Sequence, residues 1–263
     1  MIGIGIGIGI SNTVVPEYNP NAAAFIAAEE AAGATFTTQQ KAAINTLFIT
    51  WDAGGYYSRI YPYLFLGGTA ATAAINARTL NSGTFAGSGN SFTGSNYSTG
   101  GGGAINSKFT TYEDANVLAA GKYGYMVSRK NVATGQVTDV IATTLLAVFM
   151  INLNTFFRDN WGSLTWDIND GANTLLAGQF GANFTTGGVR YYPAATAPSQ
   201  FINPPFGTVA LPADKIVLGY NSGLIGDCGV NEYQSLILTS DLSYAEYEDL
   251  RASIATFNTN YGK

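Results

Sequence analysis

Few residues of this chain are of types that perform covalent or metal chemistry. The 263 residues include no histidine, which removes Ser-His-Asp and Cys-His catalysis and every zinc site with an imidazole ligand. The single cysteine, Cys228, can form neither an intramolecular disulfide nor an all-thiolate zinc site. A lone cysteine is typical of a small buried hydrophobic position, which is our interpretation of Cys228. We predict no cofactor, and carboxylate chemistry remains to be considered.

The carboxylates do not form a recognisable catalytic pair. A glycosidase needs two carboxylates on opposite sides of the scissile bond. β-Sandwich enzymes of this kind carry two acids that flank a third at alternate positions of one strand, and the sequence has no such motif. Glu246, Glu248 and Asp249 are close together, but they fall in the first turns of a predicted helix, where acidic side chains face solvent and interact well with the helix dipole. We expect no enzyme; a glycosidase is our third hypothesis, testable by polysaccharide depolymerisation.

One short acidic segment could bind a metal ion. Asp167, Asn169 and Asp170 precede Gly171, and hard oxygen ligands near a tight turn are what Ca²⁺ selects. Their spacing does not match an EF-hand loop, and an Asx-rich hairpin turn uses the same residues. We therefore predict a turn and no metal site, with these three residues as the candidate ligands if calcium is bound.

Four aromatic residues are candidates for contact with a sugar. Trp161, Trp166, Tyr191 and Tyr192 fall beside predicted loops, where a flat ring can stack on a pyranose face. Most aromatic residues in such a chain belong to a hydrophobic core, so each of the four also has a purely structural interpretation.

Composition and charge exclude several other functions. The net charge is −5, and the 12 Lys and Arg are scattered, with only Arg129 and Lys130 adjacent, so no basic surface for nucleic acid is expected. The longest apolar run, 140–153, is shorter than the roughly 20 residues that span a bilayer. The N-terminus lacks the positive region and cleavage site of a signal peptide, so we expect no export by the general secretory route. Abundant glycine and aromatics with 11% charged residues favour a β-rich protein.

The clearest predicted element is a helix at 243–262. Ser243 and Glu246 form a capping box at its start, and Gly262 ends it. Apolar residues recur every three or four positions behind the cap and form one stripe, which must pack on a sheet or on other helices: Tyr247, Leu250, Ile254, Phe257 and Tyr261. Two further helices are predicted near the N-terminus, the first ending at Gly33 and the second beginning with the capping box of Thr37 and Gln40.

Between these helices the sequence favours short strands separated by turns. We predict strands at 61–66, 122–129, 136–143, 145–153, 164–168, 189–192 and 215–219, with further short strands and long surface loops in the Gly- and Ser-rich stretch 67–103. The pattern predicts a mainly β fold: an antiparallel jelly-roll sandwich with N-terminal helices and a C-terminal capping helix. We divide the chain into an arm and linker at 1–20, a helical segment at 21–60 and the sandwich with its closing helix at 61–263.

The first residues form an extended arm. Isoleucine alternates strictly with glycine, which gives one apolar face only in an extended strand: Ile2, Ile4, Ile6, Ile8 and Ile10. Two interpretations remain open. The arm can be an edge strand of its own domain, or it can add to a sheet of another subunit through its exposed main-chain groups.

The order of these segments resembles a known class of proteins. TTQQKAAINTLFITW, YPYLFLGGTAATAAIN and LTSDLSYAEYEDLRASIATFNTNYGK, in this order around a predicted sandwich, are similar to phage virion proteins with a concanavalin-like, LamG-type jelly roll. KYGYMVSR, DINDGAN, GGVRYYP and LPADKIVLGYNSG resemble its strand and turn segments, and the resemblance covers 21–263.

The resemblance implies a non-enzymatic structural protein on the surface of a phage particle. Capsid decoration, head fibre, spike and tail component are the possible locations in the virion, with attachment through the N-terminal arm. Other virion proteins and further copies of this chain are the expected partners. The alternative is a glycan-binding module for host recognition, whose partner is a host-surface polysaccharide.

Overall fold

The computed structural model describes residues 18–99, 107–120, 122–131, 137–142, 146–151, 154–159, 164–169, 178–185, 188–192, 200–202, 213–219 and 232–263. The predicted arm, with its five isoleucines, lies outside the described residues. The division into an arm, a helical segment and a sandwich therefore stays a prediction. Within the described residues, no helix combines the length and the apolar character needed to cross a membrane.

Four α-helices of the described residues begin at polar caps that the sequence provides. Helix α1 (Pro20–Ala31) is capped by Asn19, whose side chain accepts hydrogen bonds from two backbone N–H groups. Helix α2 (Thr38–Ala53) begins at the predicted capping box of Thr37. The one-turn helix α3 (Ala70–Ala73) has a capping box formed by Thr69 and Thr72. Helix α4 (Tyr244–Tyr261) has Ser243 as its N-cap and Gly262, with φ +85°, as its C-cap. The capped helices predicted from sequence are thus confirmed.

Within the described residues, fifteen antiparallel strands form two sheets. The eight-stranded sheet has the order β13-β12-β11-β6-β15-β4-β3, with β1 also paired to β15. Its strands are β1 (Ile60–Tyr63), β3 (Ser91–Phe92), β4 (Tyr97–Ser98), β6 (Tyr123–Asn131), β11 (Gly178–Thr185), β12 (Gly188–Tyr192), β13 (Gln200–Ile202) and β15 (Glu232–Ser240). Three of them, β11, β13 and β15, were not predicted.

The seven-stranded sheet has the order β10-β9-β8-β7-β14-β5-β2. Its strands are β2 (Thr84–Ala86), β5 (Lys108–Asp114), β7 (Val137–Ala142), β8 (Leu146–Ile151), β9 (Asn154–Asp159), β10 (Leu164–Asn169) and β14 (Lys215–Gly219). Short 3₁₀ turns precede β1 (Tyr57–Arg59) and follow β5 (Ala115–Val117). The mainly β antiparallel sandwich with N-terminal helices and a C-terminal helix is confirmed.

Two hydrophobic layers hold the elements together. The first lies between the sheets and includes Phe109, Val127 and Leu236. The second lies between the eight-stranded sheet and the helices, where Met126 and Ile237 contact the apolar faces of α1, α2 and α4. Burial of each such side chain contributes about 1.5–3 kcal/mol. Helix α4 therefore packs on the sheet and on α2 at once.

The contact of α4 with the sheet is close. Tyr247 is fully buried, its ring stacks on that of Tyr192 at a centroid distance of 4.6 Å, and its hydroxyl donates to the carbonyl oxygen of Tyr125. Gly181 lies where a side chain would collide with that hydroxyl and that carbonyl oxygen. A β-carbon at position 181 would therefore separate the helix from the sheet.

A buried acid and a half-buried base interact electrostatically at the end of the helical layer. Glu29 of α1 is 1% exposed, and its Oε2 makes no hydrogen bond. Burial raises the pKa of Glu29 to about 8, although the charge of Lys263 opposes this shift. Lys263 Nζ donates to the carbonyl oxygens of Leu64 at 2.7 Å and Gln234 at 2.6 Å, and burial lowers its pKa.

Candidate functional site

The residues proposed from sequence do not come together as one described site. Trp161 and Asp170 lie outside the described residues. Trp166, Asp167 and Asn169 lie on β10, the edge strand of the seven-stranded sheet, in antiparallel register with β9. In the part of the chain that the structure describes, no three His, Cys, Asp or Glu residues are grouped so that they could hold a metal ion.

The two adjacent tyrosines of β12 are placed by different observations: Tyr191 by its strand pairing and Tyr192 by its burial. Tyr191 pairs with Ala182 of β11 and with Gln200 of β13. Tyr192 is fully buried; its ring stacks on that of Tyr247, and the Cζ of Arg251 lies 5.5 Å from the ring centroid. Because the side chain has no exposed surface, Tyr192 has no face left for a sugar and is not part of the candidate site.

An exposed apolar surface lies instead at the end of β5. Four large hydrophobic side chains are exposed among the described residues, and three of them lie on β5 or on segments near its C-terminal end. Tyr112, 51% exposed, is on β5, and Val117 ends the 3₁₀ turn that follows it. Leu80 is next to Thr79, whose hydroxyl donates to Glu113 at 2.6 Å. We call Leu80, Tyr112 and Val117 the β5 patch.

Alternation along β5 directs Tyr112 outward. Phe109, Thr111 and Glu113 are buried, whereas the intervening residues are half-buried or exposed. Phe109 belongs to the core between the sheets, so Tyr112 lies on the outer face of the seven-stranded sheet. Helices α1, α2 and α4 pack on the other sheet, and no helix covers Tyr112 within the described residues.

A buried polar network fixes the loop that carries Leu80. The Tyr63 hydroxyl donates to Glu113 Oε2 and accepts from the Tyr112 N–H at 2.9 Å. Asn76 Nδ2 donates to the same carboxylate oxygen at 3.3 Å, and its side-chain oxygen accepts from the next turn of the loop. Leu80 has a φ of +60°, a strained conformation for a leucine that the surrounding hydrogen bonds must hold. The β5 patch is therefore preorganised.

Charged groups border the ring of Tyr112. Lys215 Nζ lies 5.3 Å from the ring centroid, forms an ion pair with Asp114 at 2.8 Å and donates to the carbonyl oxygen of Tyr112. An exposed ring beside an ammonium and a carboxylate can stack on an apolar face of a ligand while the charged groups exchange hydrogen bonds with its hydroxyls. We did not select Tyr112 from the sequence, although the alternation in KFTTYED would have placed it on a polar face.

Comparison with known proteins shows which fold this chain has, but it assigns the chain to no protein family. No protein-family model matches the sequence, and no curated protein sequence matches it. One similar structure comes from a study of botulinum neurotoxin type C, whose cell entry is described as dependent on interaction with two ganglioside molecules. Its TM-score is 0.52, with 8% identity over 79% of this chain and 53% of that one.

Two further structures have similar scores. The Trypanosoma rangeli sialidase in complex with 2,3-difluorosialic acid matches with a TM-score of 0.51 and 9% identity over 82% of this chain and 40% of that one. The botulinum neurotoxin serotype D binding domain matches with a TM-score of 0.50 and 9% identity over 77% and 52%. This chain thus spans about half, or less, of each of these structures, and the likeness is one of β-sandwich fold.

Proposed function

We propose that this protein is a non-enzymatic glycan-binding module and that the β5 patch is its binding surface. The observation that carries the proposal is Tyr112, a half-exposed aromatic ring on a sheet face that no described helix covers. Solved structures of similar fold include a toxin described as interacting with gangliosides and a sialidase holding a sialic acid derivative. The ligands of these two proteins are a reason to test glycans first as the ligand class.

The geometry suggests how a sugar would bind. The Tyr112 ring would stack against the apolar face of a pyranose, Leu80 and Val117 would exclude water at its edges, and Asp114 and Lys215 would exchange hydrogen bonds with its hydroxyls. Stacking on an already exposed, preorganised ring requires little ordering on binding. Hydrolysis would need two carboxylates facing the bond, whereas Asp114 is paired with Lys215 and Glu113 is buried in the network beneath.

The experiment is a binding assay with a matched control. Wild-type protein, Tyr112→Ala and Ile49→Ala are applied to an array of sialylated and neutral glycans and host-surface polysaccharides. Ile49 is a suitable control because its side chain is 49% exposed, like that of Tyr112, but lies on α2. Tyr112→Ala should lose about tenfold or more in affinity at an unchanged melting temperature, since both residues are exposed. Absence of binding by the wild type, or equal effects of the two substitutions, would refute the proposal.

A second candidate function is structural: a component of the surface of a phage particle, attached through residues 1–17. The hydrogen bonds of Asn19 support attachment through this segment, because they fix the point at which it leaves the helices. Its backbone N–H donates to Asn45 Oδ1 at 2.7 Å and its side-chain amide to Asp52 Oδ2 at 2.6 Å, so the chain before α1 leaves from a fixed point on α2. The helices cover one face of the sandwich and the β5 patch lies on the other. Attachment and glycan binding would therefore not compete for the same face.

Light scattering tests the structural candidate. The mass in solution is measured for the full chain and for a version that lacks residues 1–12. An oligomer that becomes a monomer on truncation would support the arm as the attachment device and the prediction of a homo-oligomer. Two monomers would contradict self-assembly through the arm.

A further inference from the structure

A second concave surface lies between α2 and α4, on the helical face of the molecule. The helices run antiparallel: Gln39 Nε2 donates to the carbonyl oxygen of Asn260 at one end, and Trp51 Nε1 donates to Ser253 Oγ at 3.0 Å towards the other. Between them is a half-open groove with a volume of about 490 Å³. This volume falls within the range of about 300–1,000 Å³ typical of small-molecule sites.

The groove is lined with hydroxyl groups and small side chains. Thr46, Thr50 and Thr256 present hydroxyls, and Ala43, Ala53 and Ala252 leave room between the helices. Solvent-facing helix surfaces usually carry charged residues, but the only charged residue lining this groove is Asp249. Leu47, Phe257 and the alanines give the lining more apolar than polar surface, so it suits an uncharged molecule that has both hydroxyl groups and an apolar face.

Tyr56 supplies an unused donor at the base of the groove. Its side chain is 1% exposed, and its hydroxyl lies near that of Ser253 but makes no hydrogen bond of ordinary length. The neighbouring hydroxyl of Ser253 already donates to the carbonyl oxygen of Leu250 at 2.7 Å and accepts from Trp51. The ring of Tyr56 packs over Gly54 so closely that any side chain at 54 would displace it. A buried hydroxyl without a partner is unfavourable and is satisfied if a ligand accepts from it.

Asp249 supplies the complementary acceptor at the rim. Its carboxylate is exposed and forms no ion pair within the described part of the chain. An anionic ligand would be repelled by Asp249, and an ammonium ligand has no acceptor for the Tyr56 hydroxyl. A sugar hydroxyl is both donor and acceptor, so a molecule with several hydroxyls satisfies both groups at once.

We propose that the α2–α4 groove binds a neutral saccharide unit, with the Tyr56 hydroxyl donating to a sugar oxygen and the Asp249 carboxylate accepting from sugar hydroxyls. This site is separate from the β5 patch and does not depend on the function proposed for it. Asn260, at the other end of the groove, provides an amide that can both donate and accept and so extends the contact along the helices.

Trp51 provides a spectroscopic reporter of the groove. Its indole N–H donates to Ser253 Oγ, and Ser253 lines the groove. The ¹H–¹⁵N indole resonance is assigned with Trp51→Phe and is then followed during titration with maltose and with the methyl glycosides of glucose, galactose and N-acetylglucosamine. At least one of these saccharides should give a saturable shift of this resonance. Tyr56→Phe should weaken that binding about tenfold, the effect of losing one buried donor to a ligand.

Two controls separate the possible results. Tyr56→Phe removes only the unpartnered hydroxyl, so its melting temperature should equal or exceed that of the wild type. Tyr112→Ala should leave the titration of the Trp51 resonance unchanged, which keeps this test independent of the β5 patch. No saturable shift with any of the four saccharides would overturn the proposal. A shift that follows protein concentration in the absence of saccharide would assign the groove to a second copy and would also overturn it.

Discussion

Replacing Glu29 with glutamine should stabilise the protein above mildly acidic pH. The Glu29 carboxyl is buried in α1, and Oε2 has no hydrogen-bond partner, so burial strongly disfavours its ionised form. The nearest charged group is Lys263, which already donates two hydrogen bonds to backbone carbonyls. Tyr261 is the other titratable group beside Glu29, and burial raises its pKa, so it stays neutral throughout this pH range.

The sign and size of the effect follow from the pKa. In the unfolded chain Glu29 ionises near 4.5, whereas in the fold its pKa is about 8. The folded state therefore binds more protons between these values, and the free energy of unfolding falls as the pH rises through the window. At about 1.4 kcal/mol per pH unit, Glu29→Gln should gain about 3 kcal/mol over the wild type at pH 7 and about 5 kcal/mol once the pH exceeds that pKa.

Urea unfolding of both proteins at several pH values from 4.5 to 8.5 measures this difference. Burial lowers the pKa of Lys263, so its own contribution to stability grows with pH, and the charge of Glu29 opposes that shift. Below the folded-state pKa of Glu29 this charge is largely absent from the wild type, so the difference between the two proteins there follows Glu29. Above that pKa the difference also contains the loss of the attraction between Glu29 and Lys263. Glu30→Gln is the control, because Glu30 is partly exposed and its ion pair with Lys41 at 2.7 Å contributes at most about 1 kcal/mol. A difference between Glu29→Gln and the wild type that does not change with pH would refute the reasoning.

Three further substitutions test the packing and the caps. Tyr63→Phe removes one of the three donors to the buried carboxylate of Glu113 and leaves the Tyr112 N–H without its acceptor, so chemical denaturation should show a loss of about 1–3 kcal/mol, and glycan binding at the β5 patch should weaken with it. Gly181→Ala should cost about 1–3 kcal/mol or more because the new β-carbon meets backbone and a buried hydroxyl, whereas Gly94→Ala, with open space around it, should unfold like the wild type. Ser243→Ala should lower the free energy of unfolding by about 1 kcal/mol, as its hydroxyl caps the first turn of α4.

Local patterns were enough to predict α1, α2 and α4, but not α3 or every strand. The caps at Thr37 and Ser243 need only neighbouring residues, and both are present in the structure. Strand β15 was missed because it is buried on both faces, under the other sheet and under the helices, so hydrophobic and polar residues do not alternate along it. Its polar Gln234 accepts from Ser128 and from Asn258, partners that are far away in sequence. Pairing of this kind cannot be predicted from a short segment.

The candidate sites show the same limit. The sequence suggests aromatics beside loops, but whether such a ring is free depends on what packs over it. Tyr192 looks like its neighbour Tyr191 in the sequence, yet it is covered by α4, an element that follows about fifty residues later. The ring of Tyr112 is exposed because β5 belongs to the sheet that the described helices do not cover. Which sheet a strand joins depends on pairing with strands that are distant in the sequence.

The covering of one sheet by helices explains why two separate binding surfaces can exist. Strand β15 and its neighbour β6 place Ile237 and Met126 under the helices, and exposing these side chains to water would be unfavourable. The helices must therefore stay on this face, and within the described residues the outer face of the seven-stranded sheet has no helix over it. On the covered face, the described residues form the groove between α2 and α4. A substitution there that changes packing would also destabilise the sheet beneath, which is why loss of a single hydroxyl, in Tyr56→Phe, separates binding from folding more cleanly than any larger change.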